Sequence, residues 1–261
     1  MKIHHEPLGD VQRYLENHKD IGLEEKRPHF NNMLRAVRRF KPVDKNTRMI
    51  EIGTGTGWFP LLCQLEGLQC KGMEISPQLI EKAREIGSKY NLVPDIELGN
   101  LEETDLGHEC YDVVIASNVF EHVEHWREGI QKVAKSLKPG GLLFFESTNK
   151  FSFISGEYSA FPLYGFYGWL PDQMRYRLRI AVHGEDIMKL GIDFHQFRHS
   201  LLRREFERNG FRRIMDRVEM ADESAASTGF RRTVVRWSRR APPLKALSLT
   251  FSDATRFICL K

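Results

Sequence analysis

Three alternate glycines, Gly53, Gly55 and Gly57, lie between two acids, Glu51 and Glu74. The glycines follow directly on the apolar stretch Arg48 to Ile52, in the run Glu51-Ile52-Gly53-Thr54-Gly55-Thr56-Gly57. Glycine permits tight backbone angles and lets a ligand approach the main chain without meeting a Cβ. The spacing is not the G-x-G-x-x-G that packs against a pyrophosphate. A carboxylate two residues before the first glycine would repel a pyrophosphate. It suits a ligand with a cationic amino group and no phosphate. Glu74 stands about 20 residues past the glycine run, where a carboxylate accepts hydrogen bonds from ribose hydroxyls. Two acceptor oxygens and no donor make it apt for that task. His122 adds an imidazole, which titrates near neutral pH and can act as a general base.

These side chains need a scaffold that brings them to one edge. Arg48 to Ile52 reads as a short buried strand, and Pro60 to Leu65 as the start of a helix. A strand that turns through glycines into a helix sets backbone N–H groups beside the strand's carboxyl end, where open α/β sheets bind nucleotides. Further strands are predicted over 68–74, 94–98, 111–117, 142–147 and 255–260, with a sixth strand beginning at Gly210. Ser76 reads as the cap of a helix running from Pro77 to Tyr90. Other helices are predicted over 11–19, 28–40, 126–137, 174–190, 201–209 (capped by Ser200) and 230–240.

The motif Glu51 to Gly57 resembles the first motif of class I S-adenosylmethionine-dependent methyltransferases, E/D-x-G-x-G-x-G. Three later signals are similar to the same family, in the same order: Glu74-Ile75-Ser76, the turn Asn118-Val119-Phe120-Glu121-His122, and Lys138-Pro139-Gly140-Gly141 before an apolar strand. The turn resembles that of small-molecule O-methyltransferases of the ubiquinone-biosynthesis type. The resemblance implies an α/β, Rossmann-like, doubly wound sheet of seven strands, the last antiparallel, with N-terminal helices and a substrate-side insert. It implies S-adenosylmethionine as cofactor. Glu51, Gly53, Thr54, Gly55 and Gly57 would surround its methionine part, Glu74 its ribose, and Ile75, Asn100 and Leu101 its adenine. Asn100 departs from the acid usual at that place, but an amide oxygen still accepts from an exocyclic N–H. Asn118 would sit near the methyl end. His122 and His195 are the two candidate bases, and Arg198 a clamp for a phosphate or carboxylate on the substrate.

By this reading residues 1–47 form a helical cap, 48–150 the cofactor half, 151–197 a substrate-recognition insert, and 198–261 the C-terminal part of the same sheet. The stretch 151–170 carries aromatics at eight positions among glycines and a proline, which suits the wall of a pocket for an apolar or stackable acceptor. His29-Phe30-Asn31 reads as helix packing. Four scattered cysteines have no metal-type spacing, so a zinc or disulfide framework is not expected, and a reducing cytoplasm is. With no apolar run of about 18 residues, neither a transmembrane helix nor a secretory-type leader is expected.

Charge is uneven along the chain. Residues 198–261 hold 15 Lys and Arg against 7 Asp and Glu, while residues 1–150 hold 20 against 23. The basic segment 230–240, with Phe230 and Trp237, suits an anionic membrane surface. RNA or protein methylation through this basic end is the alternative to a small-molecule acceptor. Against nucleic acid, Ser117-Asn118-Val119-Phe120 is not the Asn/Asp-Pro-Pro-Tyr pattern that grips an exocyclic base amine, and no Pro-Cys pair offers a nucleophile for C5 methylation.

Overall fold

A computed structural model of the chain describes residues 22–152, 169–171, 195–221 and 229–261, together with positions 11, 15, 16, 174, 177, 178 and 181. Most of the helices expected over 11–19 and 174–190 and most of the aromatic segment 151–170 lie outside the described residues.

The strands are β1 (Arg48–Ile52), β2 (Gln69–Glu74), β3 (Ile96–Leu98), β4 (Tyr111–Ser117), β5 (Leu137–Thr148), β6 (Arg213–Asp216) and β7 (Ala254–Leu260). They form one sheet in the order β3-β2-β1-β4-β5-β7-β6. β7 runs antiparallel to both β5 and β6, and the pairs from β3 to β5 are parallel. The central strands are near-continuous apolar runs because helices cover both faces. Val113 to Ala116 and Leu142 to Phe145 are all buried.

The helices are α1 (Leu23–Arg38), α2 (Trp58–Leu65), α3 (Pro77–Ser88), α4 (Trp126–Ser136), α5 (His199–Arg208), α6 (Arg217–Met220), α7 (Gly229–Arg240) and α8 (Pro242–Thr250). On one face, Phe120 and Phe145 meet at 5.1 Å between ring centroids, and Phe206 packs on Phe145 at 5.2 Å. On the other face, α1 lays Leu23, Phe30, Met33, Leu34 and Val37 against α2 and the sheet. Each such fully buried side chain contributes about 1.5–3 kcal/mol of transfer free energy.

Several boundaries differ from expectation. α1 starts at Leu23, five residues before Pro28, which therefore lies inside the helix. Burial of Leu23 in line with Phe30 holds the extra turn, and one missing N–H is all the proline removes. β5 begins at Leu137, so Lys138 to Gly141 is not a turn ahead of the strand but a bulge within it. Gly140, at φ 70°, takes the left-handed geometry there. Helix α5 starts at His199 and has no side-chain cap, so Ser200 lies in its first turn rather than capping it. Pro242 and Pro243 occupy the first positions of α8 and start a helix there.

The chain runs from β1 out to β3 in one direction and from β4 in the other. That reversal between β1 and β4 leaves a crevice outside their carboxyl ends, the usual ligand position in open α/β sheets.

Candidate active site

At the carboxyl end of β1 the chain turns sharply. The N–H groups of Gly53 and Thr54 both donate to the Met73 carbonyl, at 2.8 and 3.1 Å. Gly53, Gly55 and Gly57 have φ of 65°, 57° and 70°, the left-handed region that disfavours any side chain. A Cβ on Gly53 would stand 2.5 Å from Val119 Cγ2. Val119, at the end of β4, thus closes over the first glycine. Gly57 has a different task. A Cβ there would meet Ala83 at 2.7 Å and Ile96 at 2.8 Å, so this glycine lets α2 pack against α3 and β3.

Glu51 is buried behind the bend and accepts a 2.5 Å hydrogen bond from the Thr54 hydroxyl. Burial pushes its carboxyl up to about 8, with the nearby Glu74 charge adding to the shift. Glu74 ends β2 with both oxygens engaged. Oε2 accepts from the Gly55 N–H at 2.7 Å, and Oε1 from the N–H groups of Ile75 and Ser76 at 2.9 and 3.0 Å. Burial raises its pKa, and these three donors oppose the rise. The carboxylate therefore fastens the glycine bend to the end of β2. It keeps one position for a further donor, since two oxygens offer about four acceptor positions.

In front of the bend is a cavity of about 90 Å³, whose lining includes Gly53, Met73, Ile75, Asn100, Leu101 and His122. It brings together five of the residues singled out in the sequence. Asn100 closes its own turn by accepting the Glu102 N–H at 3.0 Å. The Leu101 N–H has no partner among the described residues, and Lys132 Nζ fixes the Leu101 carbonyl at 2.9 Å. His122 ends a single 3₁₀ turn, Phe120–His122, after β4. Asn118 precedes that turn at φ 54°, exposed, with its N–H donating to the Glu146 carbonyl at 2.9 Å.

His195 is not in this cavity. Its backbone N–H donates to the Glu121 carbonyl at 3.1 Å, and its ring Nε2 lies 2.9 Å from the Glu124 carbonyl. A carbonyl only accepts, so Nε2 carries the proton and Nδ1 is the basic nitrogen. Arg198 lies over the Phe151 ring at 5.2 Å.

The sequence reading missed Val119 and Met73, which shape the bend. It also missed Glu121, fully buried and accepting from the Ser147 hydroxyl at 2.6 Å, and the Glu146–Arg256 pair at 2.7 Å. The cross-strand register of β5 and β7, which puts Glu146 opposite Arg256, is a long-range feature. Phe30 is packing, as expected, against Phe59 at 5.2 Å. Among the described residues, no group of three or more His, Cys, Asp or Glu could hold a metal ion.

The residues present fit S-adenosylmethionine. A bare-backbone cradle, a strand-end acid with a spare acceptor position and an adjoining cavity with apolar Ile75 and Leu101 suit its three parts.

Comparison with known proteins points the same way. A family model described as a methyltransferase domain matches residues 23–216. A ubiquinone biosynthesis O-methyltransferase from Parvibaculum lavamentivorans is 28% identical over 149 residues, 55% of this chain and 54% of that protein. One from Vibrio cholerae is 31% identical over 107 residues, 40% of this chain and 42% of that protein. The matches thus span about half the length of these curated relatives. Among solved structures, phosphoethanolamine N-methyltransferase 2 of Haemonchus contortus, in complex with S-adenosyl-L-methionine, aligns with a TM-score of 0.56 at 16% identity, covering 88% of this chain and 52% of that one. A SAM-dependent methyltransferase from Archaeoglobus fulgidus aligns with a TM-score of 0.55 at 16% identity, covering 95% and 99%. The fold is the Rossmann-like one of these enzymes, and the chain belongs to the methyltransferase-domain family.

Proposed function

We propose that this chain transfers a methyl group from S-adenosylmethionine to a hydroxyl of a small molecule, sugar or lipid-linked substrate. The observation that carries the reading is Glu74. Its carboxylate holds the glycine bend in place at the carboxyl end of β2, beside the crevice between β1 and β4. The O-methyltransferase relatives support a hydroxyl acceptor.

When bound, the cofactor supplies a methyl group already activated on a sulfonium, so alignment and proton handling are what the protein must add. Glu51 stabilises the cationic end of the cofactor from behind the bend. Glu74 accepts from a ribose hydroxyl with its one remaining acceptor position. The Leu101 N–H donates to the adenine ring, and Ile75 packs against it. Asn118 stands at the methyl end. His122 takes the proton of the acceptor hydroxyl, because it lines the cofactor cavity while the His195 ring is held by the Glu124 carbonyl.

Calorimetric titration with S-adenosylmethionine and S-adenosylhomocysteine tests the cofactor half of this reading; binding is expected, and no heat from either rejects it. A panel of phenols, sugars and lipid-linked alcohols with labelled methyl donor tests the other half, with label expected on oxygen.

One further observation favours contact with an anionic membrane. On the paired helices α7 and α8, Trp237 is 60% exposed and Leu247 56%, on a segment rich in arginine. No helix among the described residues is long and apolar enough to cross a membrane. A peripheral contact of the kind amphipathic helices make fits these side chains, on a protein working at the cytoplasmic surface.

A further inference from the structure

A second cavity, of about 480 Å³, lies between the first turns of α4 and α5. Its wall carries Arg127, Lys150, Arg198 and Arg204, and no carboxylate is among the described residues that line it. Arg127 has Glu205 at 3.4 Å behind it and stacks over Trp126 at 4.3 Å. Arg198 and Arg204 have no carboxylate within ion-pair distance among the described residues. Neither helix is capped by a side chain at this end. Each helix start presents unsatisfied N–H groups and about half a positive charge. Four cationic side chains and two helix starts therefore border one basin, and none of the described residues lining it is anionic.

Arg198 and Arg204, without a carboxylate partner among the described residues, leave positive charge that an entering anion would offset. The position fits a substrate contact. The segment from His195 to Arg198 floors the basin and pairs through Phe197 with Asn149, the residue after β5. The His195 N–H and ring hold the carbonyls of Glu121 and Glu124 in the turn that carries His122. The basin is thus joined by hydrogen bonds to the wall of the cofactor cavity.

We infer that this basin is a binding site for an oxyanion, a phosphate or carboxylate, carried by the methyl acceptor. This deepens the proposed function and rests on it. Arg198 and Arg204 hold the anion through their guanidinium forks, and the N–H groups at the start of α5 complete its coordination. The acceptor is thereby selected for charge at one end and a free hydroxyl at the other.

The test uses the full chain saturated with S-adenosylhomocysteine, titrated with phenyl phosphate, benzoate, benzyl alcohol and inorganic phosphate. The two aromatic anions are expected to bind at least ~10-fold tighter than the alcohol, with an affinity that falls as salt rises. Arg198→Gln with Arg204→Gln should remove most of that preference and leave the alcohol unchanged, while the corresponding Lys pair should keep part of it. Inorganic phosphate should compete with phenyl phosphate; tighter binding of the free ion than of the aromatic ester would mean a site for phosphate itself, and would overturn the substrate role. Equal binding of anions and alcohol, no anion binding at all, or an undiminished preference in the Gln pair would overturn the inference. Anion binding without any S-adenosylhomocysteine binding would instead reject the methyltransferase reading and the link to the acceptor, and leave only an anion basin.

Discussion

Glu51 is where one proton decides how the site meets its cofactor. Burial holds its carboxyl at about 8, so at neutral pH the ligand-free chain keeps it mostly protonated. A cationic ligand beside it favours the ionised form, so binding releases a proton. Cofactor affinity should tighten as pH rises and level off above about 8. Calorimetry in buffers of different ionisation enthalpy measures that proton directly, and Glu51→Gln should abolish both the proton and the slope. Glu74→Ala removes one hydrogen bond to the bend and two to the turn after β2 as well as the ribose acceptor, so S-adenosylmethionine affinity should fall by at least ~10-fold, at roughly 1.4 kcal/mol per decade. An unchanged calorimetric affinity would rule out the ribose assignment. For the two histidines, His122→Ala should lower turnover at fixed cofactor affinity. His195→Ala should act chiefly through the acceptor KM, since its ring pins the Glu124 carbonyl. Equal turnover in His122→Ala and the unmodified chain would remove His122 as base. At this scale the sequence disclosed which residue types matter. It could not disclose that Glu74 is gripped by three backbone N–H groups, because that depends on how Gly55 and Ser76 are brought round it.

Whole elements were more legible than their ends. The limits of β1 and β4 follow from apolar runs bounded by charge and glycine, and α3 follows from Ser76 and Pro77. Here local chemistry and tertiary packing agree. Boundaries moved where tertiary contacts outweighed local signals. Leu23 drew α1 past Pro28, and pairing with Tyr111 extended β5 back to Leu137. α6 was overlooked, although Asp216 and Glu219 form a capping box whose D-x-x-E spacing was visible in the chain. Gly57 offers a test of packing between elements. Gly57→Ala forces a Cβ into the left-handed region and against Ala83 and Ile96, so it should destabilise the fold by roughly 1–3 kcal/mol. Chemical unfolding reads that loss. A variant as stable as the parent would mean α2 can shift away from α3.

At the scale of the molecule, two responses to solution conditions are expected. His199 sits against Phe257 at 5.4 Å between ring centroids, and its buried Nε2 has no partner among the described residues. Burial, with Arg217 and Lys245 nearby, depresses its pKa from 6.5 to about 4. The unfolded chain binds that proton first, so stability should fall as pH drops from 6.5 towards 4. His199→Phe should flatten that loss in urea unfolding measured across this range, and an undiminished slope would assign it elsewhere. The exposed side chains of α7 and α8 should bind vesicles containing anionic lipid. Trp237→Ala with Leu247→Ala should weaken that binding severalfold in a flotation assay, and no flotation of the unmodified chain would end the membrane reading.

Asn149 joins these distant parts. Its single amide nitrogen reaches the carbonyls of Leu249, Thr250 and Ser252, at 3.1, 3.0 and 2.8 Å, where α8 gives way to β7. The same residue is paired with Phe197 on the floor of the cationic basin. On the proposed function, a shift of the outer helices would reach the floor of the acceptor's anion site through this one side chain. Docking on a lipid surface and admission of the acceptor would then be mechanically geared to each other.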